Sequence, residues 1–87
     1  MTAMKLAQYV KFREERFGGV LFETRAEKVF ALNPTASAIV REIARDGCDE
    51  PGLIARLAER YSGSRAAIAS EVAAFLGDLR GRGLLED

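Results

Sequence analysis

Apolar and polar residues alternate along the first third of the chain, and in the rest apolar residues recur every three to four positions. In YVKFREERF (residues 9–17), Val10 and Phe12 share one face while Lys11 and Arg13 share the other. That period of two is the mark of a half-buried strand. Gly18 and Gly19 then punctuate the chain as a bulge or tight turn, and VLFET (residues 20–24) is rich in β-branched and aromatic residues. RAEK reads as a turn without the Asn-Gly or Asp-Gly signal of a two-residue hairpin, and VFAL (residues 29–32) reads as a third short strand. Three strands with short connections predict an antiparallel meander.

The helical period begins after Asn33-Pro34. Asn caps, Pro takes the first helical position, and the residue before a proline stays extended as a cap must. Ala36, Ile39, Val40, Ile43 and Ala44 fall on one inward face of this first helix, and Gly47 ends it. A second helix starts near Asp49 with Pro51 in its first turn, and directs Leu53, Ile54, Leu57, Ala58 and Tyr61 inward. Ser62-Gly63-Ser64 breaks the chain, with Ser64 the next cap. A third helix carries Ile68, Val72, Phe75 and Leu79 as its core stripe, and Gly77 leaves room for a bend. Gly83 caps it, and Leu84 and Leu85 fold back onto the core.

With that stripe as the core direction, 100° per residue puts Ser64, Glu71 and Asp78 on a polar flank. Arg65, Ala69, Ala73 and Leu76 make a smooth flank on the other side. Two readings of the smooth flank stay open: a wall for another extended backbone, or simple packing against the sheet. Strands and helices in separate blocks predict an α+β domain, a three-stranded antiparallel sheet followed by three helices. The short Gly-containing turn between the last two helices suggests a winged helix-turn-helix-like arrangement.

Composition narrows the function. Hydrophobic residues make up 48% of the 87 residues and charged residues 30%, a globular balance for one domain spanning 1–87, with about eight N-terminal residues expected to be loose. Thirteen basic and thirteen acidic residues cancel, so the surplus of positive charge usual in nucleic-acid binders is missing. There is no histidine, which removes the commonest general base. Cys48 is the single cysteine, so no internal disulfide forms and no Cys/His metal site has enough ligands. Its place after a helix end disfavours a thiolate. Neither Phe17-Gly18-Gly19 nor Gly81-Arg82-Gly83 has the strand–loop–helix setting of a phosphate loop. An enzyme is not expected, and no cofactor or metal. No stretch resembles a signal peptide or reaches the ~20 apolar residues of a membrane span, and a disulfide-free domain fits a reducing cytoplasm.

Two binding functions remain. KFREER reads as the solvated face of an edge strand, whose charges discourage aggregation. The strand Lys28–Leu32 is instead an edge to which an extended peptide could add by backbone hydrogen bonds. The alternative is a small winged-helix DNA-binding regulator. In its helix start SRAAIASE, however, Arg65 is the one cation and Glu71 would face phosphates.

FGGVLFE, then KVFALNPTASAIVREI, LIARLAERY and IASEVAAFLGDLRGRGLLE, in that order, resemble the PqqD-like family, named for pyrroloquinoline quinone biosynthesis protein D. The most specific piece is LNPTASAI, which matches a Leu-Asn-x-Thr-Ala-x-x-Ile motif. FGG departs from members dedicated to pyrroloquinoline quinone and is similar to other branches, mycofactocin-like ones included. The resemblance implies a non-catalytic chaperone that binds the leader of a ribosomally made precursor peptide and presents it to a modifying enzyme, commonly a radical S-adenosylmethionine (SAM) maturase, bound in trans. It implies that the leader adds beside the third strand, at Lys28, Val29, Phe30, Ala31 and Leu32, with Arg65, Ala69, Ala73 and Leu76 opposite. An open sheet edge also allows a homodimer made by strand exchange.

Overall fold

A computed structural model describes residues 3–86. Among them, five strands and three helices run in the order β1 (Lys5–Leu6), β2 (Val10–Glu15), β3 (Gly18–Glu23), β4 (Lys28–Leu32), α1 (Pro34–Asp46), α2 (Glu50–Arg60), α3 (Arg65–Gly81) and β5 (Leu85–Glu86). The α+β architecture is the one expected. β2, β3 and β4 form the antiparallel meander in that spatial order, with Phe12, Leu21 and Phe30 in cross-strand register. Those three and Val10 face the core, and Lys11, Arg13, Val20, Phe22, Val29 and Ala31 take the outer face.

Each connection has a local cause. Arg16-Phe17 links Glu15 to its partner Gly18 as a two-residue hairpin loop. At the next turn the Glu23 carboxylate accepts from the amides of Arg25 and Ala26 at 2.9 and 2.8 Å, and Glu27 takes a left-handed φ of 58°. This closes a loop over residues 24–27, so β4 starts one residue earlier than VFAL. The Asn33 side chain accepts from the Ala36 amide at 2.8 Å, which caps α1 as the Asn-Pro pair predicts. Asp49 and Ser64 cap α2 and α3 through the amides of Gly52 and Ala67. Gly83, at φ 74°, closes α3 in a Schellman pattern: Leu84 donates to the Leu79 carbonyl and Gly83 to that of Arg80.

α1 is the central element. Sheet and β1 pack on one side of it and α2 on another, so Ser37, Ala38, Ile39, Val40, Glu42 and Ile43 are all buried. The expected inward face was too narrow here, and Ala44, assigned to it, is exposed. Buried Ser37 donates to the Gly18 carbonyl at 2.8 Å, and buried Glu42 faces Arg56 and Arg60 of α2 at 3.4 and 3.9 Å. Tyr61, also expected inside, is 41% exposed, because α2 ends at Arg60 and the chain turns extended there.

α3 is straight through Gly77 in hydrogen-bonded helix and buries Val72, Leu76 and Leu79. Ile68 and Phe75 are half-buried. At 100° per residue the buried face is centred about 40° from the expected stripe. That rotation takes Leu76 from the smooth flank into the core, at 0% exposure.

The N-terminal segment is not loose from residue 3 onward; Met1 and Thr2 lie outside the described residues. Met4 exchanges backbone hydrogen bonds with Cys48, Ala7 donates to the Leu84 carbonyl, and the Tyr9 hydroxyl donates to the Gly83 carbonyl at 2.6 Å. β1 pairs antiparallel with β5. Met4, Ala7 and Leu84 are buried in consequence.

Gly18 has φ 143°, and a Cβ there would stand 2.1 Å from the Leu32 carbonyl oxygen. Gly18→Ala should therefore destabilise the fold by at least ~2 kcal/mol in urea unfolding. Leu76→Ala should cost about 2–5 kcal/mol in the same experiment, as for a core leucine, where an exposed wall residue would give under ~0.5.

Candidate peptide-binding groove

β4 is an edge strand: among the described residues it pairs with β3 alone. Which of its backbone groups are open follows from the ladder. The Thr24 amide donates to the Tyr9 carbonyl at 2.9 Å, so residue 24 faces β2. Phe22 and Val20 face the same way, and the alternate residues Glu23, Leu21 and Gly19 face β4. Their partners Lys28, Phe30 and Leu32 engage β3. Val29 and Ala31 therefore aim their amides and carbonyls at the open edge.

Beside that edge lies a groove of about 270 Å³ between β4 and α3. Leu21, Leu32, Leu79 and Leu84 make a buried apolar floor, and Phe30 and Phe75 are half-buried walls. Asp78 and Arg82 form the rim. Arg82 Nε lies 3.2 Å from both Asp78 carboxylate oxygens, and its guanidinium lies 5.1 Å from the Phe30 ring centroid. This exposed pair contributes little to stability, under ~1 kcal/mol. Its geometric effect is larger, since it ties α3 to the wall of β4 across the groove mouth. An apolar floor beside unpaired backbone groups suits an added strand: hydrogen bonds to Val29 and Ala31, alternate side chains into the groove.

The structure brings Phe30, Ala31 and Leu32 to this groove, leaves Lys28 exposed, and leaves Val29 63% exposed on the outer face. It does not bring Arg65, Ala69, Ala73 or Leu76 to it. Arg65 and Ala69 line a separate cleft with Glu50 and Ile54 of α2, Ala73 is exposed, and Leu76 is in the core. The cause is the rotation of α3, which turns the smooth flank toward α2 and the other flank toward β4. Phe75 had been assigned to the core and Asp78 to a solvated surface, and Arg82 carried no assignment. Their spacing of three and four residues puts them on one helical stripe, which was the signal available.

Among the described residues, no group of three or more His, Cys, Asp or Glu could hold a metal ion. No helix there is long and apolar enough to cross a membrane.

Residues 18–85 match the profile of the family described as Coenzyme PQQ synthesis protein D (PqqD). None of the curated proteins compared matches the sequence. Solved structures do share the fold. A lasso peptide synthetase B1 complexed with its leader peptide is 23% identical, with a TM-score of 0.84 over 99% of this chain and 100% of that one. TbiB1 in complex with the TbiA(beta) leader peptide is 22% identical, with a TM-score of 0.83 over 94% of each chain. The PqqD truncation of Methylobacterium extorquens PqqCD, a stand-alone recognition element for ribosomally synthesized and post-translationally modified peptides, is 22% identical. Its TM-score is 0.78 over 98% of this chain and 89% of that one.

The ladder makes a prediction about proline. Val29→Pro removes an amide at the open edge and should leave the urea midpoint within about 1 kcal/mol of the parent. Phe30→Pro breaks a β3–β4 bond and should cost about 3 kcal/mol or more. Equal losses in the two variants would mean that the assignment of open and paired amides is wrong.

Proposed function

The chain belongs to the family of coenzyme PQQ synthesis protein D, and from that premise we propose that it is a non-catalytic recognition module for the leader of a ribosomally made precursor peptide. The leader adds as a strand to the open edge of β4 and seats alternate side chains between β4 and α3. The observation that carries this reading is the coincidence of free backbone groups at Val29 and Ala31 with an apolar groove walled by Phe30 and Phe75. Either feature alone is common; together they supply affinity and selectivity for one extended ligand. That two relatives in fold were solved with leader peptides bound supports the same reading.

The role of α3 is revised accordingly. Phe75, Asp78 and Arg82 replace Arg65, Ala69, Ala73 and Leu76 as the residues opposite the peptide, while Lys28, Val29, Phe30, Ala31 and Leu32 keep their part. Arg82 lies over Phe30 across the groove mouth, so a bound peptide either passes beneath its guanidinium or displaces it. The captured leader is presented to a modifying enzyme, for which the family resemblance favours a radical SAM maturase. Such a module would work as one domain in the cytoplasm, where precursor and enzyme are made. The same edge suits a second copy of the chain, so self-association and peptide capture would compete for it.

The test is an NMR titration of the ¹⁵N-labelled protein with the short peptides encoded beside its gene. Shifts should concentrate at Val29, Ala31, Phe75, Asp78 and Arg82, and Phe75→Ala should weaken binding about tenfold or more. The affinity should change little between 50 and 200 mM salt, whereas a protein making 6–10 phosphate contacts would lose roughly 10³–10⁵. No response to any of these peptides, with the enzyme present or absent, would end the proposal.

A further inference from the structure

The groove beside β4 continues past the start of α1. Asn33, Ala36 and Phe75 line it and also line a second concavity, which adds Thr35, Ile39 and Glu71. Those last three in turn line a pocket of about 220 Å³ where the N-terminal half of α3 meets the C-terminal end of α2. Its apolar surface comes from Ile39, Leu57, Ile68 and Val72, with Tyr61 at the mouth. A single trough therefore runs from the open strand edge, along the Phe75–Glu71–Ile68 side of α3, to the turn after α2.

Two large hydrophobic side chains mark its ends. Val29 is 63% exposed at the strand edge and Tyr61 is 41% exposed at the pocket. The pocket is below the roughly 300–1,000 Å³ of small-molecule sites, so it suits one side chain rather than a cofactor.

We propose that this pocket is a second subsite, which takes a bulky apolar side chain lying about three residues before the strand-forming segment of the captured peptide. The inference rests on the strand-addition reading of β4. Its polarity follows from the sheet. The meander is antiparallel and antiparallel pairing is the more stable. β4 runs toward Asn33, so a strand added antiparallel enters at Asn33 and leaves at Lys28. The residues preceding that strand must then lie over Ala36 and Thr35, which is where the trough leads. Phe75 and Ile68 are seven helical residues apart, about 10 Å along the axis, or about three residues of extended chain. Glu71 stands on the wall between pocket and groove, exposed, and no ion pair to it is formed among the described residues. A Lys or Arg within those connecting residues is the favoured companion of the apolar anchor.

Random peptides about 15 residues long, enough to span groove and pocket in extended form, displayed on phage and selected on the full chain, supply the probe. Proline scanning of a selected peptide locates its strand-forming segment. The expected result is that Val29→Pro abolishes capture, while Tyr61→Ala and Glu71→Lys each weaken it about tenfold without changing the melting temperature. Deleting the peptide residues that precede the strand segment should weaken binding to the parent protein by a similar factor. It should also erase the effect of both variants.

If the shortened peptides bind as well as the full ones, or Tyr61→Ala has no effect while Val29→Pro abolishes binding, the subsite is wrong and strand addition stands. If Val29→Pro binds normally, or selection yields no peptide at all, strand addition fails and the subsite fails with it.

Discussion

The backbone of β3 at Gly18 passes so close to the carbonyl of Leu32 that no side chain fits between them, and this contact fixes the junction from which the helices hang. β4 ends there, Asn33 caps α1 there, and Ser37 one turn later donates back to the Gly18 carbonyl. The direction of α1 relative to the sheet is thus set by backbone proximity and two short side-chain hydrogen bonds. Because α1 leaves from the end of β4 and runs under the sheet rather than beside it, the long edge of β4 is left unpaired. The candidate site is a consequence of that exit angle.

An unpaired edge invites aggregation, and the two edges of this sheet meet the hazard differently. β2 carries Lys11, Arg13, Glu14 and Glu15, with Arg13 paired to Glu15 at 2.7 Å and Glu14 to Arg41 of α1 at 3.5 Å. Charges along such an edge repel an incoming strand. β4 has Lys28 alone among its five residues, and its protection comes instead from α3, whose Arg82 reaches over Phe30. A guard held by an exposed ion pair and a cation–π contact can yield to a ligand at small cost. The fold closes one edge by charge and leaves the other closed only by a movable side chain.

The helical layer is held at both ends of α1. Glu42 is buried between α1 and α2 and is answered by Arg56 and Arg60, while the Met4–Cys48 bridge and the β1–β5 pair bind both chain ends to the α1–α2 junction. Removing one partner from such a buried ion pair leaves an uncompensated charge, so the pair specifies how α2 sits even where it adds little net stability. The trough beside α3 keeps its shape because the helices on either side of it are anchored away from it.

Local chemistry written in consecutive residues was legible from the sequence: the alternation in β2, the Asn33-Pro34 start, the caps at Asp49, Ser64 and Gly83, the order of strands and helices, and the identity of β4 as the strand beside the helical block. Those features are decided within a turn or a hairpin, by groups at most a few residues apart. The rotation of α3 was not decided there. Ile68, Phe75, Leu76 and Leu79 are all apolar, and a window of such residues fits two core directions about 40° apart; packing against α1 and α2 selected the one that buries Leu76 and turns Phe75, Asp78 and Arg82 toward β4. The burial of Ser37 and Glu42, and the fastening of Met4, likewise depend on partners that arrive from distant parts of the chain. Sequence settled which strand offers an edge, and tertiary packing settled which helix face stands across from it, because periodicity gives the width of an apolar face but only contact with other elements gives its centre.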